Sequence, residues 1–156
     1  MLGRRRAEDC HHRGMGSYEA VVETADDGTL VDSGPLAVEF RNPRTRRRGQ
    51  LSLDEVTGGH LLHLAVAGCV YNDLIREASA RGITLSKIRV SADGGFEGHP
   101  CASTGIEYQI QVEGDASEAD LTQLVAYVEG IAEVPSVIRL GGDVRLVASE
   151  VASTGG

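Results

Sequence analysis

Three thiols and a pair of histidines are the side chains here whose chemistry could go beyond packing. Cysteines stand at Cys10, Cys69 and Cys101, and His60 and His63 share a segment with Cys69. A thiol does nucleophilic or redox work as its thiolate, which a nearby cation or hydrogen-bond donor favours. Cys69 lies among Val66, Ala67, Val70 and Leu74, an apolar setting that raises a thiol pKa. On a common helix at about 100° per residue, His60 is turned roughly 180° and His63 roughly 240° from Cys69. Neither can serve it from its own helix, so help must come from another element or another subunit. His60 and His63, at i and i+3, could share a metal with Cys69 or Cys101, but the same angles disfavour Cys69. Cys10-His11-His12 is three adjacent side chains on a polar tail, a poor metal site. No metal and no other cofactor is expected.

The elements that must position these groups follow from composition and pattern. The 156 residues carry 15 Lys+Arg against 23 Asp+Glu, a formal charge of −8. That balance argues against a nucleic-acid partner. A content of 41% hydrophobic and 24% charged residues suits a single globular domain. With four Tyr, two Phe and no Trp, the core must be aliphatic. Three cysteines are too few for a disulfide scaffold and suit a reduced, cytoplasmic protein. The longest apolar run, Leu61 to Tyr71, is interrupted by His63 and too short to span a bilayer. Arg4, Arg5 and Arg6 are followed by polar residues where an export signal needs an apolar stretch. No membrane partner is therefore expected. Residues 1–16 read as a disordered leader, with Met1 or Met15 as the start, residues 17–149 as one domain and residues 150–156 as a flexible tail.

Within that domain, Tyr18 to Thr24 reads as a strand, Asp26-Asp27-Gly28 as a turn and Thr29 to Val31 as a continuing meander. Pro35 to Phe40 alternates, with Leu36, Val38 and Phe40 on one face. Arg44 to Gly49 is a basic loop, read either as a solvated hairpin tip or as an anion or substrate contact. Thr57 is an N-cap for a helix of about 24 residues that stops at Gly82. Its first half is apolar on nearly every face, which calls for enclosure, in part by a second subunit. Ile88 to Ala92 and Ile106 to Gly114 are strands, joined by a long Gly-rich connection carrying Cys101. Ser117 caps a second amphipathic helix through Ile131, broken at Pro135, and Asp143 to Val147 is a last strand. The order is that of an α+β sandwich.

Thr57-Gly58-Gly59-His60-Leu61-Leu62-His63-Leu64-Ala65-Val66-Ala67-Gly68-Cys69 resembles the central helix of the OsmC/Ohr family of thiol-dependent hydroperoxide reductases. Ala132-Glu133-Val134-Pro135-Ser136-Val137-Ile138-Arg139-Leu140 is similar to that family's Cys-Pro segment. The resemblance covers about Ser17 to Ser149. It implies antiparallel sheets around a long central helix in an intertwined homodimer. It also implies Cys69 as the peroxidatic thiol, with a second cysteine in the Cys-Pro segment resolving the sulfenic acid. That second position is Val134 here. The resemblance further implies a glutamate at the start of the helix, paired with a loop arginine. The matching positions are Gly59 and His60, and none of Arg41, Arg44, Arg46, Arg47 and Arg48 can be aligned to the arginine.

Two functions follow. One is thiol-dependent reduction of an organic hydroperoxide through Cys69, using an external thiol reductant or Cys101 as a substitute resolving thiol. The other is a non-catalytic homodimer of the same fold that binds a small hydrophobic ligand.

Overall fold

The computed structural model of the chain describes residues 18–25 and 36–150. The expected leader, the Asp26–Gly28 turn, the Thr29–Val31 meander and nearly all of the expected tail lie outside them. Strands β1 (Ala20–Thr24), β2 (Leu36–Arg41), β3 (Arg48–Leu53), β4 (Leu85–Glu97) and β5 (Ala102–Gly114) form one antiparallel sheet, in the order β2-β3-β1-β4-β5. Helix α1 (Gly58–Ala80) packs on β1 and β4, and α2 (Glu118–Ile131) and α3 (Glu133–Leu140) pack against α1. This is the expected α+β class, with the long helix at its centre.

Helix α1 begins where expected: the Thr57 hydroxyl oxygen accepts from His60 N at 3.4 Å. It ends at Arg81, and Gly82 takes φ +69°, the left-handed turn that glycine allows without strain. Val66, Ala67, Val70, Tyr71, Leu74, Ile75 and Ala78 recur at helical spacing and are all buried. They meet Val22 of β1, Leu85, Ile88, Val90 and Ala92 of β4, and Leu124 and Val128 of α2. Each large aliphatic buried there contributes about 1.5–3 kcal/mol. The opposite face is less enclosed: Leu61 is 48% exposed.

Three expectations are corrected. The Gly-rich segment before Cys101 is strand, not loop: Gly94 pairs with Ile106 and Gly95 with Gly105. A Cβ on Gly94 would lie 2.2 Å from Gly105 O and 2.7 Å from His63 Nε2, so glycine permits the close approach of β5 and α1. Cys101 therefore sits on a tight hairpin. The break after α2 falls at Ala132, and Pro135 lies inside the first turn of α3, where its missing N–H has no helical partner to lose. Residues Asp143 to Val147 form no strand, and Val144, Leu146 and Val147 are 98%, 84% and 87% exposed. Apolar, β-branched residue types suggest a strand, but a strand also needs an edge to pair with.

Two glycines should respond oppositely to alanine. Gly94→Ala forces backbone apart and should cost about 2–3 kcal/mol, a fall in Tm of roughly 4–12 °C. Gly68→Ala meets nothing within 4 Å and should gain about 0.5–1 kcal/mol from helix propensity. Thermal melts of both variants check the pair, and equal shifts would contradict the close packing at Gly94.

Candidate active site around Cys69

Cys69, Asp73 and Arg76 lie along one stripe of α1. Four residues turn a helix about 40° past a full circle, and seven leave it about 20° short of two. Cys69 is a free, half-buried thiol, and its Sγ lies 3.9 Å from Asp73 Oδ2. Asp73 is 3% exposed, and its other oxygen accepts from Arg76 Nη1 at 2.7 Å. Arg76 Nε also donates to Glu77 Oε1 at 3.1 Å, and Glu77 accepts from Arg81 at 2.8 Å. The line thus runs from a half-buried thiol through a buried carboxyl to a guanidinium at the surface. Val134 of α3 packs against the same core as Cys69, so the expected second-cysteine position holds an inert side chain.

Desolvation pushes the Asp73 carboxyl above the ordinary aspartate range. Arg76 opposes that rise, while Glu133 of α3 and Glu77 reinforce it and the Cys69 thiol opposes it slightly. Glu77, held by Arg81 and Arg76, is lowered instead. Among ionisable groups near Cys69, Asp73 is the one in reach of the sulfur whose proton affinity is moved toward neutral pH.

The two positions at the start of α1 matched to the expected acid, Gly59 and His60, are taken up by aromatic packing. Gly59 lies under the Tyr18 ring, where a Cβ would come within 2.6 Å of it and 3.2 Å of Phe96. His60 and His63 pack against Tyr18 with ring centroids 4.9 and 5.7 Å away, and Phe96 meets Tyr18 edge-on. His60 Nδ1 is 2.7 Å from Thr57 Oγ1. His63 Nδ1 is 2.6 Å from Gly59 O. A carbonyl only accepts, so Nδ1 carries the proton, and the buried Nε2 faces Gly94 without a partner. The two histidines belong to an aromatic cluster rather than to Cys69. Among the described residues no three His, Cys, Asp or Glu side chains converge as a metal site.

The basic loop between β2 and β3 is a hairpin tied by Asn42, whose Oδ1 accepts from Arg44 N and Thr45 N at 2.9 and 3.1 Å. Arg41 bonds Arg46 O, Arg47 bonds Leu85 O and Ser86 O, and Arg48 pairs with Glu39. Arg44 instead lines a cavity of about 470 Å³ on the side of α1 that carries Gly68 and Asn72. Val22, Phe40, Leu51 and Leu64 supply its apolar wall, and Arg76 closes it. That volume is within the range of small-molecule sites. Cys69 does not line it; Arg76 lines it and also pairs with the Asp73 carboxyl that faces the thiol. Cys101 is exposed on the β4–β5 hairpin, and Cys69 is free, so the two are not joined to each other.

Asp73 and Arg76 were legible in principle. The helical arithmetic that excludes His60 and His63 places residues four and seven beyond Cys69 on its own face.

The family model described as OsmC-like protein matches residues 52–146. The chain belongs to the OsmC-like family. The match takes in α1, β4, β5, α2 and α3. A solved structure with a similar course is that of an OsmC-like hydroperoxide resistance protein from Jannaschia sp. CCS1. Its identity to this chain is 8%, its TM-score is 0.46, and the alignment covers 89% of this chain and 97% of that one. No curated protein matches the sequence. No single described helix is long and apolar enough to cross a membrane; α2 and α3 pass only as a pair bent by 45°.

Asp73 also sets a pH dependence. Its folded pKa is raised, so the stability it contributes is complete below the unfolded aspartate value of about 3.9 and is lost as pH rises through the folded value. Asp73→Asn lacks that loss. Measured by urea unfolding, the variant's stability relative to wild type should therefore improve from about pH 4 upward. A pH-independent difference would contradict the desolvation of this carboxyl.

Proposed function

We propose that this OsmC-like chain reduces organic hydroperoxides through Cys69, as a homodimer that draws its electrons from an external thiol. The observation that carries the reading is the free, half-buried Cys69, midway along the family helix and within 3.9 Å of a buried carboxyl. In the reaction the Cys69 thiolate attacks the outer peroxide oxygen, the O–O bond breaks, and the organic product leaves as an alcohol once protonated. Cys69 becomes a sulfenic acid. One external thiol condenses with it, releasing water and leaving a mixed disulfide, and a second restores Cys69 and leaves as a disulfide.

Val134 at the second-cysteine position, and a Cys69 that is free rather than joined to Cys101, favour an external thiol over Cys101 as the resolving group. The homodimer reading draws on apolar side chains that one chain leaves uncovered: Leu61 of α1, and Val144, Leu146 and Val147. The non-catalytic reading, a homodimer that binds a small hydrophobic ligand, draws on the 470 Å³ cavity that Cys69 does not line.

The purified protein should consume cumene hydroperoxide with dithiothreitol, and Cys69→Ser should abolish the reaction. Without reductant, one sulfenic acid per chain should be trapped by dimedone at Cys69. Equal peroxide consumption by wild type and Cys69→Ser would sink the enzyme reading. Binding of an apolar fluorescent probe that Gly68→Leu displaces would then favour the ligand reading. Sedimentation equilibrium tests the dimer.

A further inference from the structure

We propose that Asp73 is the proton relay of Cys69, with Arg76 as its positioning residue. The inference rests on the hydroperoxide reading above and says how the reaction runs without an acid at the helix start. Asp73 splits its two oxygens: Oδ1 faces Arg76 at 2.7 Å and Oδ2 faces the sulfur at 3.9 Å. Asp73 is 3% exposed, so its Oδ2 meets the sulfur with little competition from bulk water at the carboxyl. The neighbouring carboxylates are otherwise engaged or more distant in role. Glu77 is held by Arg76 and Arg81, and Glu133 acts on Asp73 across from α3 through its charge.

The steps balance as follows. Ionised Asp73 takes the proton of the Cys69 thiol, leaving a thiolate beside a neutral carboxylic acid. The thiolate sulfur bonds the outer peroxide oxygen, the O–O bond breaks, and its electron pair leaves on the alkoxide. The alkoxide takes the proton from Asp73, so sulfur is oxidised, the peroxide is reduced to an alcohol and Asp73 returns to its starting state. One proton passes between thiol and carboxyl across the 3.9 Å contact. The charges facing that pair are Arg76 and Glu77 from α1 and Glu133 from α3. Arg76 keeps the carboxyl able to ionise, and the two glutamates make it willing to hold the borrowed proton.

The test has two readouts. In peroxidase assays Asp73→Asn should lose about 10²–10⁴-fold in rate, the usual contribution of general acid–base help, and Asp73→Glu should recover part of it. Independently, the pH profile of Cys69 alkylation by iodoacetamide, followed by peptide mass, should show two steps in wild type and one in Asp73→Asn. Arg76→Gln should move the lower step to higher pH, because the carboxyl then holds its proton longer. An Asp73→Asn rate within threefold of wild type, or a wild-type alkylation profile with a single step, would overturn the relay. If wild type reduces no hydroperoxide, the function proposed above fails, while the alkylation profiles still decide whether Asp73 and Cys69 share a proton.

Discussion

Burial of one stripe of α1 against β1, β4 and α2 is the constraint on which the rest of the molecule depends. Val66, Val70, Leu74 and Ala78 occupy that stripe, and truncating one of the larger members typically costs several kcal/mol. Once the stripe is seated, the rotation of the helix has no freedom left. Cys69, Asp73 and Arg76 are then carried to the neighbouring face, half-buried at the thiol and open at the guanidinium. The apolar packing thereby sets the dielectric around the sulfur as well as the fold. The carboxyl within its reach is held at the core's edge, where loss of water raises its proton affinity.

The same close packing fills the start of the helix. Tyr18 and Phe96 lie over Gly59, and the two histidines stack into that cluster. An acidic side chain there would have to displace an aromatic ring and bury a charge without a partner. An acid one turn beyond the thiol avoids both costs, since Arg76 accompanies it and reaches water.

Much of this was visible in the residues. The Thr57 cap, the stop at Gly82, the inward alternation of β5 and the Ser117 cap of α2 are local signals, each set by bonds within a few residues, and the structure keeps them. The segment around Gly94 and Gly95 misled because glycine marks both loops and close strand contact. Only the position of β5 and His63 distinguishes them. Val144, Leu146 and Val147 misled for the converse reason: they are apolar and strand-forming in type, but no edge of this sheet receives them. For the site, Cys69 stood out as a thiol in a family-like helix, whereas Asp73 passed as an ordinary polar residue on an amphipathic turn.

The sequence by itself determined the α+β class, the central helix with its caps, the position of the thiol and the absence of a cysteine at Val134, because these rest on local spacing and residue type. The tertiary structure alone decided that Gly94 belongs to a strand, that an aromatic cluster fills the helix start and that Asp73 is buried against Cys69. Those facts depend on which distant segments exclude water from a given side chain, and no local pattern carries that information.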